Sequence, residues 1–357
     1  MPARTALFAA QQAAGGKMID FSGWDMPVQF SGITAEHQAV RSAAGVFDLG
    51  HMGRLTVSGV GSLAFLERQV CRPLADMRPG QVRYGLALAA DGTVEDDVLV
   101  SRENEHDWHV VVNAGNREKI VAQWRTALPA TAIFADITTD QAMIAVQGPA
   151  APGLLARLGL GLEGLSYYAF RDAAWQGVPV RISRTGYTGE DGAELFMPTK
   201  HAEDLWRTVV SAGALPCGLG CRDSLRLEAG MPLYGHELDR TITPIEAGLA
   251  FAVNQAGGFI GDQAVLRQLS EGAPRRLVGL RCRDKRVPRQ GYPVLHHGAQ
   301  VGVITSGTLS PTLGAAIGMA LVPTSLATAG TAVSVDVRGT LVPADIVSLP
   351  FYRRAKN

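Results

Sequence analysis

Tyr84-Gly-Leu-Ala-Leu-Ala-Ala-Asp-Gly-Thr-Val-Glu-Asp-Asp-Val-Leu-Val100 contains two apolar strand segments, Tyr84 to Ala89 and Val98 to Val100, on either side of Ala90-Asp91-Gly92. Asp-Gly tolerates the positive φ that a tight hairpin requires, so the stretch predicts a β-hairpin. Upstream, Leu55 and Val57 mark a strand that stops at Ser58-Gly59, and Leu63 to Val70 has helical spacing. Downstream, His109 to Asn113 predicts a further strand and Arg117 to Leu128 a helix. Together these make a compact α+β unit of about one hundred residues, an ordinary domain size.

Beyond Gln141 the pattern changes to short apolar strands, Ala142 to Val146, Val180 to Ser183 and Ala193 to Met197, between helix candidates Pro152 to Leu158 and Ala202 to Ala212. After Phe259 it changes again, toward repeated hairpins with little helix. Val301 to Thr305, Ala315 to Leu321, Ala332 to Val337 and Pro343 to Val347 are short runs separated by Ser, Gly, Pro and Arg-Gly, as in a small barrel or sandwich.

At 357 residues the chain exceeds what one hydrophobic core usually organises, so two or three domains are expected. Lys plus Arg equals Asp plus Glu at 33 each, which leaves no net field to favour nucleic acid or an anionic membrane. The longest apolar runs are far too short to cross a bilayer. The first sixteen residues carry Arg4 as their one basic side chain and no long apolar stretch, so the expectation is a cytoplasmic protein without a secretory signal. Four cysteines do not make a disulfide framework in so long a chain. Cys217 and Cys221 enclose Gly-Leu-Gly, a spacing unlike a common zinc knuckle, and are read as buried free thiols.

Three clusters carry chemistry. The first is Glu95-Asp96-Asp97 at the entrance of an apolar strand; Asp96 and Asp97 face opposite ways, so one of them is expected to point into a cleft. An acidic turn on a solvated edge is the competing reading. The second is Arg184-Thr-Gly-Tyr-Thr-Gly-Glu-Asp-Gly-Ala-Glu194, whose glycines permit close backbone approach to a flat ligand, with Tyr187 to stack and a carboxylate to grip a two-donor edge. A mobile polar hairpin loop is equally compatible with this stretch alone. The third runs from Gly218 to Leu238, where Arg222, Arg226 and Glu228 share a helical neighbourhood, or simply pin the helix by ion pairs. Gly59-Val60-Gly61 with Ala64 imitates a dinucleotide fingerprint, but no βαβ repeat follows, and a tight turn is the preferred reading.

Taken in order, these residues resemble the glycine cleavage T-protein family. Lys17-Met-Ile-Asp-Phe-Ser-Gly-Trp-Asp-Met-Pro27 is similar to the opening block of that family, and Phe47-Asp-Leu-Gly-His-Met-Gly53 to its next, with Glu36-His37 and Ala39-Val40-Arg41 between them. The Asp96-Asp97 strand, Val112-Asn113-Ala114, the Arg184 loop, Arg226-Leu-Glu-Ala-Gly-Met, Thr243-Pro-Ile-Glu-Ala-Gly-Leu and Thr305 to Gly314 follow in family order, and Pro350-Phe-Tyr-Arg353 resembles the family terminus. Leu49-Gly50 departs from the usual Val-Ser, beside Met52.

The resemblance implies an α+β fold of three domains in a cloverleaf around a central folate-binding hole: residues 1–46 with 138–256, an inserted domain 47–137, and a β-rich, barrel-like C-terminal domain 257–357. It implies transfer of the methylene of an aminomethyl-lipoyl group on H-protein to tetrahydrofolate, a co-substrate, with ammonia released and no metal or redox cofactor. It also implies a functional link to the glycine decarboxylase and dihydrolipoamide dehydrogenase components. Position by position, Asp97 corresponds to the carboxylate needed for turnover. Met52, Tyr84, Asn113, Tyr187, Glu194, Arg226 and Arg353 correspond to folate-site residues, Glu194 gripping the pterin edge. A folate-dependent demethylase would share the folate site and differ in the donor pocket. A non-catalytic folate-binding protein of iron-sulfur assembly is disfavoured, because Gly257-Gly-Phe-Ile-Gly-Asp262 lacks the cysteine of its signature. A nucleotide-dependent oxidoreductase would rest on the Gly59 turn alone. Arg281-Cys-Arg-Asp-Lys-Arg-Val-Pro-Arg289 is the densest basic stretch, either a docking surface for an acidic carrier or a solvated loop.

Overall fold

The structure, a computed structural model, describes residues 1–355. The chain divides into two compact units. One comprises Met1–Glu67, Leu74–Gly85 and Val98–Asp223; the other comprises Arg68–Pro73, Leu86–Asp97 and Ser224 onward.

The centre of the first unit is a six-stranded sheet. Its order is Phe170–Trp175, Val178–Ser183, Gly192–Pro198, Gln141–Gln147, Gly45–Asp48 and Leu215–Pro216. Alternation gives this sheet two different faces. On one, Val46, Ile144, Val146, Val180, Ile182, Ala193, Leu195 and Met197 join an aliphatic core completed by Leu205, Trp206 and Val209 of the helix Ala202–Ser211. The register places Ser183 beside Glu194, Glu194 beside Ala145 and Ala145 beside Phe47, so these four lie in a row on the other face. That face is also buried, and His109 of the strand Trp108–Val112 meets Phe196 there edge-on, with ring centroids 5.2 Å apart.

The expected hairpin is present and belongs to a five-stranded sheet ordered Val82–Leu88, Val94–Arg102, Trp108–Val112, Gly53–Ser58, Ile133–Asp136. Ala89 N–H donates to Thr93 O at 2.9 Å and Gly92 N–H to Ala89 O at 2.9 Å, closing a three-residue loop with Gly92 at φ 84°. The strand begins at Val94, so Glu95, Asp96 and Asp97 stand within it and not at its entrance. Both glycines of the imitated dinucleotide turn are explained by packing: a Cβ on Gly59 would lie 2.6 Å from Thr131 O, and one on Gly61 would lie 2.1 Å from Thr131 Oγ1.

The C-terminal hairpins close into a six-stranded barrel in the order Arg275–Cys282, Ala316–Pro323, Ala299–Leu309, Pro293–His296, Ala332–Val337, Thr340–Val347. Barrel, not sandwich, is therefore the outcome, and its interior is filled by Val278, Leu280, Val294, Ile304, Val322, Val335, Val342 and Ile346 among others. Two hairpins of the barrel turn on two residues each, His297-Gly298 and Arg338-Gly339, all four at positive φ (50°, 82°, 55° and 83°). A helix at Asp262–Glu271 precedes the barrel, where the sequence suggested little helix. Among the described residues no helix is long and apolar enough to cross a membrane.

Candidate functional site

The candidate residues fall in both units. Met52, Tyr84, Asn113, Tyr187 and Glu194 are in the first, whereas Asp97, Arg226 and Arg353 are in the second.

In the first unit the Arg184 loop is held in place, not mobile. Arg184 closes it on itself through Asp191, with Nη2 to Oδ2 at 2.7 Å and Nε to Oδ1 at 3.2 Å. Gln147 braces it from the neighbouring strand, donating from Nε2 to Thr185 O at 3.1 Å and accepting from Thr188 Oγ1 at 3.0 Å. Arg41 adds an ion pair to Glu190 at 2.9 Å and a hydrogen bond to Thr188 O at 2.7 Å. A Cβ at Gly186 would sit 2.1 Å from Gln147 Oε1 and so would displace the bracing amide.

This bracing presents two groups. Tyr187 carries the Arg222 guanidinium over its ring, 4.6 Å from the centroid, so Arg222 of the helix Leu219–Glu228 backs an aromatic platform. Glu194, 4% exposed, stands on the polar face of the six-stranded sheet. Thr185 Oγ1 donates to its Oε2. Burial pushes the Glu194 carboxyl up, against the Thr185 hydrogen bond and the Arg222 charge, which pull it down.

His51 belongs with these groups and was overlooked in the sequence, although it stands inside the Phe47 to Gly53 block. It is 2% exposed, meets Phe21 edge-on at 5.6 Å, and its Nδ1 is buried without a partner among the described residues. Burial pushes its imidazole down to about 3, and the Arg222 and Arg54 charges act in the same direction, so His51 is neutral at any working pH. Met52 follows it. Because Gly53 pairs with Val112, Met52 and Asn113 lie opposite each other at one end of the five-stranded sheet. Tyr84 is half-buried on the Val82–Leu88 strand of the same sheet.

In the second unit Glu95 and Asp96 are buried and Asp97 is half-buried, so Asp97 is the most accessible of the three carboxylates. Glu95 is paired with Arg240 at 2.7 Å, an ordinary structural use of the first carboxylate. Arg226 is 1% exposed and bound to Glu237 Oε2 at 2.7 Å, Ser306 Oγ at 2.7 Å and Met231 O at 3.2 Å. Glu228, at the end of that helix, accepts from Thr312 Oγ1 at 2.7 Å and from Ser310 Oγ. Arg353 is exposed, next to Tyr352, whose N–H donates to Glu228 O at 2.8 Å. In the basic stretch, Arg283 pairs with Asp345 at 2.7 Å and Arg286 with Asp284, while Lys285 and Arg289 are exposed.

The first unit thus offers a flat aromatic surface and a buried carboxylate, and the second, taken by itself, a more open carboxylate on a strand. Comparison with known proteins gives this a context. Residues 7–256 match the GCVT N-terminal domain, and residues 275–353 match the glycine cleavage T-protein C-terminal barrel domain. Relatives named aminomethyltransferase include one from Geobacillus kaustophilus, 47% identical over 361 residues and 99% of each chain. Another, from Bacillus subtilis, is 45% identical over 98% of this chain and 99% of its own. The crystal structure of glycine cleavage system aminomethyltransferase T from Bartonella henselae superposes with a TM-score of 0.93 at 32% identity, covering 100% of both chains. With both domains matched and relatives of this identity along its whole length, the chain belongs to the glycine cleavage T-protein family.

Proposed function

We propose that the protein is the tetrahydrofolate-dependent aminomethyltransferase of glycine cleavage. The observation that carries this is the match over the full chain, both domains together, to relatives named for that activity. The donor is the aminomethyl group held as a thioether on the lipoyl arm of H-protein, and the acceptor is tetrahydrofolate. The methylene loses its bonds to sulfur and to the amine and gains bonds to two folate nitrogens. Of the two protons these nitrogens give up, one goes to the lipoyl sulfur and one to the departing ammonia. The products are 5,10-methylenetetrahydrofolate, ammonia and dihydrolipoyl H-protein, and no metal or redox step is needed for the balance.

The residues fit a pterin on physical grounds. Glu194 offers a carboxylate to a donor pair, and its site is dry enough for a charge-assisted bond to be strong. Tyr187, stiffened by Arg222, offers a stacking face. Met52, Tyr84 and Asn113 complete the folate wall in this reading. The partnerless Nδ1 of His51 adds a polar atom for the ligand to satisfy. Asp97 provides the fixed negative charge that orients folate and stabilises the iminium-like cation as ammonia leaves. Arg226 and Arg353 are assigned to the folate side as well, Arg226 with a structural duty through Glu237 that its loss would expose. The domain division 1–46 with 138–256, 47–137 and 257–357 is part of the same proposal, as are cytoplasmic location and the functional link to the other glycine cleavage components.

The test is a turnover assay with aminomethylated lipoyl H-protein and tetrahydrofolate. Methylenetetrahydrofolate and ammonia should form in equal amounts. Failure with this donor, alongside turnover of a methylated amine or thioether, would replace the proposal with a folate-dependent demethylase.

A further inference from the structure

Glu36 lies far in sequence from Cys217 and Cys221, and the three come together in the first unit, Cys221 standing next to Arg222 in the chain. Glu36 comes from the helix Ile33–Ser42, Cys217 follows the strand Leu215–Pro216, and Cys221 sits in the first turn of the helix Leu219–Glu228. All three are buried, and one ligand atom of each lies within 4.8 Å of the other two. We propose that these three side chains form a binding site for one thiophilic divalent metal ion, of the zinc and cadmium class.

Geometry supports this first. For three atoms so spaced there is always a point no more than about 2.8 Å from every one of them, and modest contraction brings it to the roughly 2.0–2.3 Å of zinc bonds to oxygen and sulfur. Chemistry supports it second. Two thiols and one carboxylate suit a borderline or soft ion, not magnesium or calcium.

The carboxylate is also prepared in the way metal-binding carboxylates are. Backbone N–H groups of Phe30 at 2.6 Å and Gly32 at 3.0 Å donate to Oε1, and that of Gly218 at 2.8 Å donates to Oε2. These fix its direction and leave lone pairs unused. Among the described residues no Lys or Arg pairs with Glu36, so it is a fully buried acid with hydrogen bonds and no counter-cation. A buried charge is usually paired or bound to a metal. Cys217 Sγ lies 3.2 Å from Leu215 O, and the two thiols hydrogen-bond each other, so the sulfurs are already side by side. Gly45 closes the wall, since a Cβ there would lie 2.7 Å from Cys217 Sγ.

Binding replaces two S–H bonds with two metal–sulfur bonds and releases both protons to solvent. Affinity therefore rises with pH. Burial already pushes the Cys221 thiol up, which makes the proton competition stronger.

The experiment uses the intact, reduced protein and Cd(II) as probe, in a non-chelating buffer, followed by thiolate-to-metal charge-transfer absorption and by metal analysis after gel filtration. One equivalent per chain is expected. Cys217→Ser and Cys221→Ser should each weaken binding tenfold or more. Cys282→Ser, which alters a buried thiol of the barrel, should leave it unchanged. Zn(II) should displace the band competitively, and binding at pH 8 should be tighter than at pH 6.5. Circular dichroism and tetrahydrofolate affinity report whether each variant is folded. No charge-transfer band in the wild type would overturn the proposal. So would a band that survives in folded Cys217→Ser and Cys221→Ser, which would put the ion elsewhere.

Discussion

The six-stranded sheet and the C-terminal barrel solve the same problem, an aliphatic core, and reach opposite positions regarding function. The barrel bends its sheet until the inner face is entirely core, with Val294, Val335, Val342 and Ile346 inside, while part of its outer face, including Ile317 and Met319, is buried as well. The open sheet needs only one face for its core. Its other face is buried as well, yet carries Ser183, Glu194 and Gln147. Buried polar groups occur outside the barrel's core too, but there they are committed to structure: Ser306, beside Met319 in the register, accepts a hydrogen bond from Arg226 at 2.7 Å. The ligand-binding groups proposed for the first unit use the open sheet's polar face and the loop rising from it.

Four measurements would sharpen this contrast or break it. The largest effect is expected from Asp97→Asn, which keeps shape and removes charge on a strand outside both cores. Turnover should fall on the order of 10²–10³-fold with folding and tetrahydrofolate affinity little changed. Normal turnover here, with loss in Asp96→Asn, would move the assignment within the pair.

Next come paired truncations, one on the polar face and one inside the barrel. Glu194→Ala should weaken tetrahydrofolate binding tenfold or more by calorimetry, because hydrogen bonds to charged groups contribute about 1.5–3 kcal/mol. Val335→Ala should cost about 2 kcal/mol of stability and leave that dissociation constant alone. Equal effects on affinity would dissolve the distinction between the two regions.

A smaller, pH-dependent effect follows from His51 and His109, held neutral by burial at about 3 and about 4. Between pH 6.5 and those values the unfolded chain binds protons that the native state refuses. Stability from this source is complete above pH 6.5 and is lost as pH falls, by up to about 1.4 kcal/mol per pH unit for each histidine. Glu194 and Asp48, both pushed up by burial, work in the opposite sense. Urea titrations across pH 4–7 should show the acid loss, and His109→Gln should flatten it; an unchanged slope would mean that His109 titrates normally.

The smallest effect concerns the rim. Changing Lys285 and Arg286 to Glu should raise KM for the lipoyl carrier a few-fold at low salt and leave the dependence on free folate unchanged, since exposed charges act mainly on encounter. Arg286 already shares its charge with Asp284, which limits the effect. Normal handling of the carrier would place docking elsewhere.

Legibility in the sequence followed the same contrast. Barrel strands such as Ala332–Val337 were visible because short apolar runs sat between turn residues. Arg275–Cys282 was not, since arginines at both ends mask Leu277-Val-Gly-Leu280. Asp262–Glu271 buries only Val265, too little to give a helical apolar stripe. On the polar face, alternation was misleading in principle. Ala193-Glu-Leu-Phe-Met197 has the pattern of a strand with one face in water, and nothing local announces that a second layer covers Glu194. His51 escaped for a similar reason, because its importance lies in burial and a missing partner. The Glu36 cluster was invisible to spacing, its acid and Cys217 standing 181 positions apart.

The two-residue barrel turns have a practical side. In a type I′ turn the first position favours Asn or Asp, yet His297 and Arg338 occupy it here, next to Gly298 and Gly339. Both tips are exposed, and every strand they join already has two neighbours, so an epitope or fluorophore inserted there displaces no pairing. His297→Asn and Arg338→Asn would be natural companions to such an insertion. They relieve backbone conformations that an L side chain adopts reluctantly, and would prepare this end of the protein for immobilisation or single-molecule work.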